Sequence, residues 1–215
     1  MKKVVIFDLD GTIIDSLPDI IDSVNITMNK FSHKERTYDD VRKFIGNGAR
    51  LLIERCLGEK LPEDKFLEIL DYYNDTYTNS GSPKTKVFDG MKEVLFELKN
   101  RGYYIGVITN KPQMTVDNIM KTYFKGIEFD ALIGQSEGIK IKPDPKTTLS
   151  ILEKFGIENE NAYFIGDGET DYQTSVNANI NGISVLWGYR TKEELEKAGA
   201  KTFVNLPSQL LDILQ

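Results

Sequence analysis

Short apolar runs rich in β-branched residues alternate along most of this chain with segments whose apolar residues recur at helical spacing. Val4 to Phe7, Tyr104 to Ile108, Ala131 to Ile133, Ala162 to Ile165 and Ile183 to Trp187 predict strands. Helices are predicted between and after them, at about Met91 to Asn100, Thr115 to Tyr123, Lys146 to Phe155, Asp171 to Ala178 and Lys192 to Lys197. Strands that are apolar throughout and joined by helices indicate a parallel sheet covered on both faces. Right-handed crossovers then make a doubly wound α/β core the economical topology.

The stretch from Ser16 to Ser82 breaks this alternation. Ser16, with Asp19 three residues later, has the spacing of a capping box, and Leu17, Ile20, Ile21, Val24, Met28 and Phe31 then share one helical face. Thr37 and Asp40 repeat the cap pattern ahead of Val41, Phe44 and Ile45. A third helix is expected over Ala49 to Leu57 and a fourth over about Glu63 to Tyr77. Nothing in the stretch reads as a strand. The expected organisation is therefore an α/β core of residues 1–15 and 83–215, interrupted by an all-helical insertion of residues 16–82.

Composition narrows the setting. A chain of 215 residues suits one large domain or a core with a smaller insertion, and 40% hydrophobic with 28% charged residues is ordinary for a globular protein. The formal net charge of −6 argues against a nucleic-acid partner or an anionic membrane, which call for a basic face. The apolar run near the N-terminus is cut short by Asp8 and Asp10, too early for a signal peptide. No stretch approaches the roughly 20 apolar residues that span a bilayer. Cys56, the single cysteine, excludes an internal disulfide and is expected to be an apolar filler on its helix. A cytoplasmic protein, monomeric or homodimeric, is the expectation.

The chemistry sits where strands end. Asp8 and Asp10 follow the first strand; residues two apart on a strand project to the same side, so both carboxylates can converge at its C-terminal tip. Open α/β sheets bind ligands along that edge. Two adjacent acids call for a compensating charge, which Mg²⁺ supplies through oxygen ligands. Gly11 permits a sharp turn and Thr12 adds a hydroxyl. Taken alone, Asp-Gly is an ordinary turn pair. Thr109-Asn110-Lys111 brings donors suited to a phosphoryl oxygen, though from those residues alone a helix cap or plain loop is the favoured reading. Lys142, stiffened by Pro143 and Pro145, is a fixed point charge or else a solvated loop lysine. Asp167 and Asp171 bracket a helix start, where Asp171 also suits a capping role. Acid pair, hydroxyl, lysine and acids thus occur in order, each at the end of a predicted strand or in the loop beyond it.

On these residues the sequence resembles the haloacid dehalogenase superfamily of phosphohydrolases. Asp8-Leu9-Asp10-Gly11-Thr12 looks like its first motif, Thr109-Asn110-Lys111 its second, Lys142-Pro143 its third, and Gly166-Asp167 with Asp171 its fourth. The helical stretch is similar to the cap that many members insert after the first motif. The resemblance implies a Rossmann-like core and a reaction in which Asp8 attacks phosphorus and Asp10 serves as general acid, then base. It implies Mg²⁺ held by Asp8, the backbone carbonyl of Asp10 and Asp167, with Asp171 in support. Leu9, Asp10, Thr109, Asn110 and Lys142 are expected around the phosphate, with Thr109 and Lys142 taking part in catalysis.

Asp10 narrows the branch, because the family's dehalogenases and phosphonatases lack an acid there. Its sugar-phosphate mutases carry a cap histidine about ten residues further on, where this chain has Ile20; the single histidine, His33, is expected in a solvated loop. The segments from Asp15 to Ile20 and from Phe44 to Ala49 look like cap segments of phosphoglycolate phosphatases and their relatives. Gly46, Gly48 and Arg50 could then meet a small anionic substrate, or form an ordinary inter-helix turn. Gly168, Ser175-Val176 and Asp89 depart from that subfamily's pattern. Phosphoglycolate is the leading candidate among small phosphorylated metabolites, with pyrophosphate, nucleotides and sugar phosphates as alternatives. Outside enzymes, a phospho-acceptor or a binding protein on the same scaffold is the rival. Phospho-acceptor receiver domains are much shorter, and their acceptor follows a central strand rather than the first one.

Overall fold

The computed structural model describes residues 2–214. They divide into two compact units, one running to Asp15 and resuming at Val87, the other Ser16–Lys86. The first unit opens with β1 (Val4–Phe7) and β2 (Ile14–Asp15). The second holds α1 (Leu17–Lys30), α2 (Tyr38–Phe44), α3 (Ala49–Leu57) and α4 (Glu63–Asn79). The chain returns through β3 (Lys86–Val87), α5 (Met91–Asn100), β4 (Tyr104–Pro112), α6 (Gln113–Tyr123), β5 (Ala131–Gln135) and α7 (Lys146–Phe155). It ends with β6 (Ala162–Gly166), α8 (Glu169–Asn177), β7 (Asn181–Val185), α9 (Lys192–Lys197), β8 (Phe203–Val204) and α10 (Leu210–Ile213).

Six strands form a parallel sheet in the order β5-β4-β1-β6-β7-β8. Alternation along β1 divides its side chains between the two faces. Val5 and Phe7 join a core with Met91, Leu95 and Leu98 of α5 and Val116 and Ile119 of α6. Val4 and Ile6 join another with Ile151 and Leu152 of α7 and Phe164 of β6. Each fully buried aliphatic side chain contributes roughly 1.5–3 kcal/mol, so burial on both faces makes β1 the anchor of the sheet. This is the doubly wound α/β architecture expected from the pattern.

The topology positions the site. From β1 the chain builds β4 and β5 on one side, then crosses to β6, β7 and β8 on the other, so the switch point lies at β1. Phe7 is level with both Val107 and Ile165, which brings the three C-terminal tips to one edge.

Several local readings change. The last predicted strand lies two residues earlier than expected, at Asn181–Val185, because Tyr163 pairs with Asn181. β8 has two residues and therefore no readable period. Ser16 occupies the N-cap of α1 but makes no side-chain cap bond. Asp19, its expected partner, instead accepts from the Lys84 N–H at 3.1 Å and the Thr85 hydroxyl at 2.7 Å. Those bonds tie residues 84–85 to α1, and the helical unit accordingly runs to Lys86 rather than Ser82. Thr37 and Asp40 do form a capping box on α2. Cys56 is fully buried, which pushes its thiol up to about 12 and leaves it inert as a nucleophile. His33 lies 3.8 Å from Glu59 with its side chain 19% exposed, so it is a half-buried loop residue rather than a solvated one.

Candidate active site

At the end of β1 the Asp8 N–H donates to the Ile165 carbonyl at 2.8 Å, tying this residue to β6. The chain then turns tightly: the Leu9 carbonyl accepts from the N–H groups of Thr12, Ile13 and Ile14, while the Leu9 side chain is fully buried. Gly11 makes the turn possible, with φ +84° and no room for a side chain. A methyl group there would stand 2.6 Å from the Asp167 carboxyl carbon. The Thr12 hydroxyl donates to Asp167 Oδ1 at 3.1 Å, so this turn also orients the fourth motif's acid.

β4 extends through Pro112, three residues beyond Thr109, and its register against β5 shifts between Ile108 and Pro112. Thr109, Asn110 and Lys111 occupy that irregular stretch and are all buried. Thr109 Oγ1 accepts from the Lys111 N–H at 3.3 Å. The Asn110 side-chain amide clamps the Lys142 main chain from both ends, accepting from its N–H at 2.8 Å and donating to its carbonyl at 3.2 Å. Asn110 thus fixes the loop that delivers Lys142.

The Lys142 ammonium lies 2.7 Å from Asp8 Oδ1 and 2.6 Å from Asp171 Oδ1. Burial alone would lower its pKa, but the charges of Asp171 and Asp8 overcome that and raise it, so the lysine is cationic. The buried Asp8 Oδ1 is thus ion-paired with Lys142. Asp171 is at the third position of α8, where Oδ2 accepts from the Gly168 N–H at 2.9 Å. It therefore serves as a cap and as a Lys142 partner at once.

Asp8 is pushed well above the usual carboxylate range by burial and by Asp171, against the pull of Lys142. Burial and Asp171 likewise push Asp167 up to about 7, against its hydrogen bonds from Tyr189 and Thr12. Asp8, Asp167 and Asp171 can each present an oxygen such that all three lie within 4.8 Å of one another. Buried carboxylates held this close fit a hard divalent cation that takes oxygen ligands.

Two features escaped sequence reading. Lys111 donates to Asp10 Oδ1 at 2.6 Å, pairing two motifs 101 positions apart. The segment after β7 folds over the first-motif turn: Trp187 Nε1 donates to the Thr12 carbonyl at 3.0 Å and the Tyr189 N–H to Asp167 Oδ2 at 2.8 Å. The Tyr189 hydroxyl reaches Asp15 at 3.2 Å, and Arg190 pairs with Glu169 at 2.9 Å. A signal for this segment existed, since β7 is also a parallel strand whose C-terminal end reaches the ligand edge.

Within the helical unit Gly48 is the N-cap of α3, with φ +85°. Arg50 forks onto Glu63 with two bonds of 3.0 Å, reaches Glu54 at 3.1 Å and lies over the Phe66 ring.

The sequence pattern of the haloacid dehalogenase-like hydrolase family matches residues 5–185. A phosphoglycolate phosphatase of Psychrobacter arcticus is 30% identical over 220 residues, covering 99% of this chain and 96% of that protein. Phosphoglycolate phosphatase 1 of Pseudomonas aeruginosa is 32% identical over 194 residues, covering 88% of this chain and 71% of its own. The crystal structure of a predicted phosphoglycolate phosphatase from Haemophilus somnus superposes with a TM-score of 0.91 at 27% identity, covering 100% of this chain and 98% of that one.

Proposed function

This chain belongs to the haloacid dehalogenase-like hydrolases, and from that premise we propose that it hydrolyses a small phosphomonoester through an aspartyl-phosphate on Asp8, with Mg²⁺ as cofactor. It is a phosphoric monoester hydrolase, in keeping with its phosphoglycolate phosphatase relatives. The observation that carries the reading is the buried assembly of Asp8, Lys142, Asp167 and Asp171 at the switch-point edge of the sheet.

Each residue has a role that its surroundings support. An Asp8 carboxylate oxygen attacks phosphorus as the bond to the leaving oxygen breaks. Asp10 gives that oxygen its proton; when water then attacks the phosphorus of the aspartyl-phosphate, Asp10 takes one back, and inorganic phosphate leaves. Lys142 offsets negative charge on Asp8 and on the transferring group, while the Thr109 hydroxyl donates to a phosphoryl oxygen. Asn110 keeps Lys142 in place through its main chain. Asp8, the Asp10 carbonyl and Asp167, with Asp171 in support, would hold Mg²⁺, which would supply the positive charge that lets these acids ionise together beside a phosphate.

Phosphoglycolate is the first substrate to test, with pyrophosphate, sugar phosphates and nucleoside monophosphates beside it. A cytoplasmic setting belongs to the same reading and suits the single buried Cys56. Among the described residues no helix is long and apolar enough to cross a membrane. Wild-type protein should turn over p-nitrophenyl phosphate with Mg²⁺ and lose that turnover in EDTA, and Asp8→Asn should abolish it. A wild type that hydrolyses no phosphomonoester in Mg²⁺ would overturn the reading.

A further inference from the structure

Lys111 has no role in the reaction as written so far, yet it is one of the most deliberately held side chains in the protein. Its side chain is 4% exposed. Burying an ammonium is costly unless a specific partner compensates it, and here Asp10 does so at 2.6 Å. The main chain of Lys111 is constrained from two directions. Its N–H donates to Thr109 Oγ1, and β5 approaches so closely that a methyl on Gly134 would stand 2.7 Å from the Lys111 carbonyl oxygen. Gly134 itself donates to the Gln113 side chain at 2.6 Å, fixing that approach. A buried ammonium carried on so firmly held a main chain sets the position of whatever it holds.

We propose that Lys111 is the positioning residue for Asp10. It pins one carboxylate oxygen so that the acid/base group meets the leaving oxygen, and later the attacking water, in one orientation. The inference rests on the acid/base role proposed above for Asp10. It gives the two lysines separate tasks: Lys142 serves the nucleophile Asp8 and its neighbour Asp171, and Lys111 serves the proton carrier. Proton transfer is sensitive to donor geometry, and general acid–base groups contribute roughly 10²–10⁴-fold, so a mispositioned Asp10 forfeits a measurable share.

The test compares kcat/KM on two substrates without a second anionic group. The leaving group of p-nitrophenyl phosphate departs with little need of a proton, whereas that of glycerol 2-phosphate needs one. Lys111→Met should lower kcat/KM on glycerol 2-phosphate at least about 10-fold more than on p-nitrophenyl phosphate, a portion of the general-acid contribution. Partial unfolding scales both rates alike and cancels from the ratio. Lys111→Arg, which keeps the charge, should restore part of the selectivity. In an Asp10→Asn background, adding Lys111→Met should change kcat/KM by less than about twofold, since a residue that acts through Asp10 has nothing left to position.

Equal losses on both substrates, or full additivity in the double variant, would reduce Lys111 to a structural residue and overturn the proposal. A loss seen with phosphoglycolate but absent with glycerol 2-phosphate would overturn it in favour of a cation that binds the substrate carboxylate. A wild type inactive on every phosphomonoester would bring down the underlying function and this inference with it. A wild type active on both substrates, with an unchanged ratio in Lys111→Met, would overturn the role of Lys111 alone.

Discussion

Gly188 stands where the segment after β7 crosses the first-motif turn, and replacing it with alanine adds a single methyl group at a tightly packed point of the site. Its backbone lies outside the left-handed region, so alanine meets no conformational penalty and the effect is one of space alone. The new methyl would overlap the Asp167 Cβ and the Gly11 carbonyl oxygen and stand 2.6 Å from the Asp167 carboxyl carbon. Neither neighbour is the loose end of a flexible side chain. Gly11 belongs to a hydrogen-bonded turn, and both Asp167 oxygens are held, by Thr12 at 3.1 Å and by Tyr189 at 2.8 Å. Relief therefore requires a shift of about 1 Å in the turn or in Asp167. Overpacking of this kind costs roughly 1–3 kcal/mol, and for a chain of this size each kcal/mol lowers Tm by about 2–4 °C. A displacement of that size at a reacting centre costs on the order of 10²-fold in rate. Gly106→Ala supplies the control, because a methyl there meets its nearest atoms at 3.5 Å or more, an ordinary contact. Differential scanning fluorimetry and p-nitrophenyl phosphate kinetics on both variants separate the cases. Gly188→Ala with wild-type Tm and kcat, or a Gly106→Ala loss of the same size, would refute the close-approach reasoning.

Two further outcomes follow from the charges. Asp167 holds its proton up to about pH 7 in the folded chain against 3.8 as its ordinary value. Between those values the folded state binds the extra proton, so this group makes the metal-free protein progressively less stable as pH rises from about 4 to 7, with no further change above. Asp8, shifted in the same direction, adds to the slope. Melting curves in EDTA should show Asp167→Asn with a flatter profile than wild type across that window; parallel profiles would remove Asp167 as a source of the effect. Arg50→Ala breaks an exposed, solvent-screened fork to Glu63 and should leave Tm close to that of the wild type. If Arg50 only binds substrate it should raise KM for phosphoglycolate more than it lowers kcat, and an unchanged KM would take it out of the site.

Much of the fold was legible because its signals are local. β1, α5, α7 and α9 carry their periodicity within a few residues, and the structure places them where the pattern does. The Thr37–Asp40 capping box could be read for the same reason: both partners lie within one turn. The matching pattern at Ser16 misled, since Asp19 found stronger partners in Lys84 and Thr85, 65 and 66 residues away. β8 and the start of β7 depend on which neighbour a strand pairs with, and no window of sequence contains that information.

The candidate site divides along the same line. Asp8, Lys142, Asp167 and Asp171 could be named from the chain because acids and lysines at strand ends have few cheaper explanations when they occur together in order. Their mutual contacts could not. Asn110 clamping Lys142, Tyr189 holding Asp167 and Lys111 holding Asp10 link residues 32, 22 and 101 positions apart. Each of these bonds requires a donor and acceptor within about 3 Å, a distance set by strand order and register rather than by neighbours in the chain. By itself, then, the sequence determined which chemical groups arrive at the sheet edge. Tertiary structure alone decided which ammonium meets which carboxylate and how closely the glycine turns approach, because those distances exist only once β4, β6 and β7 have taken their places beside and beyond β1.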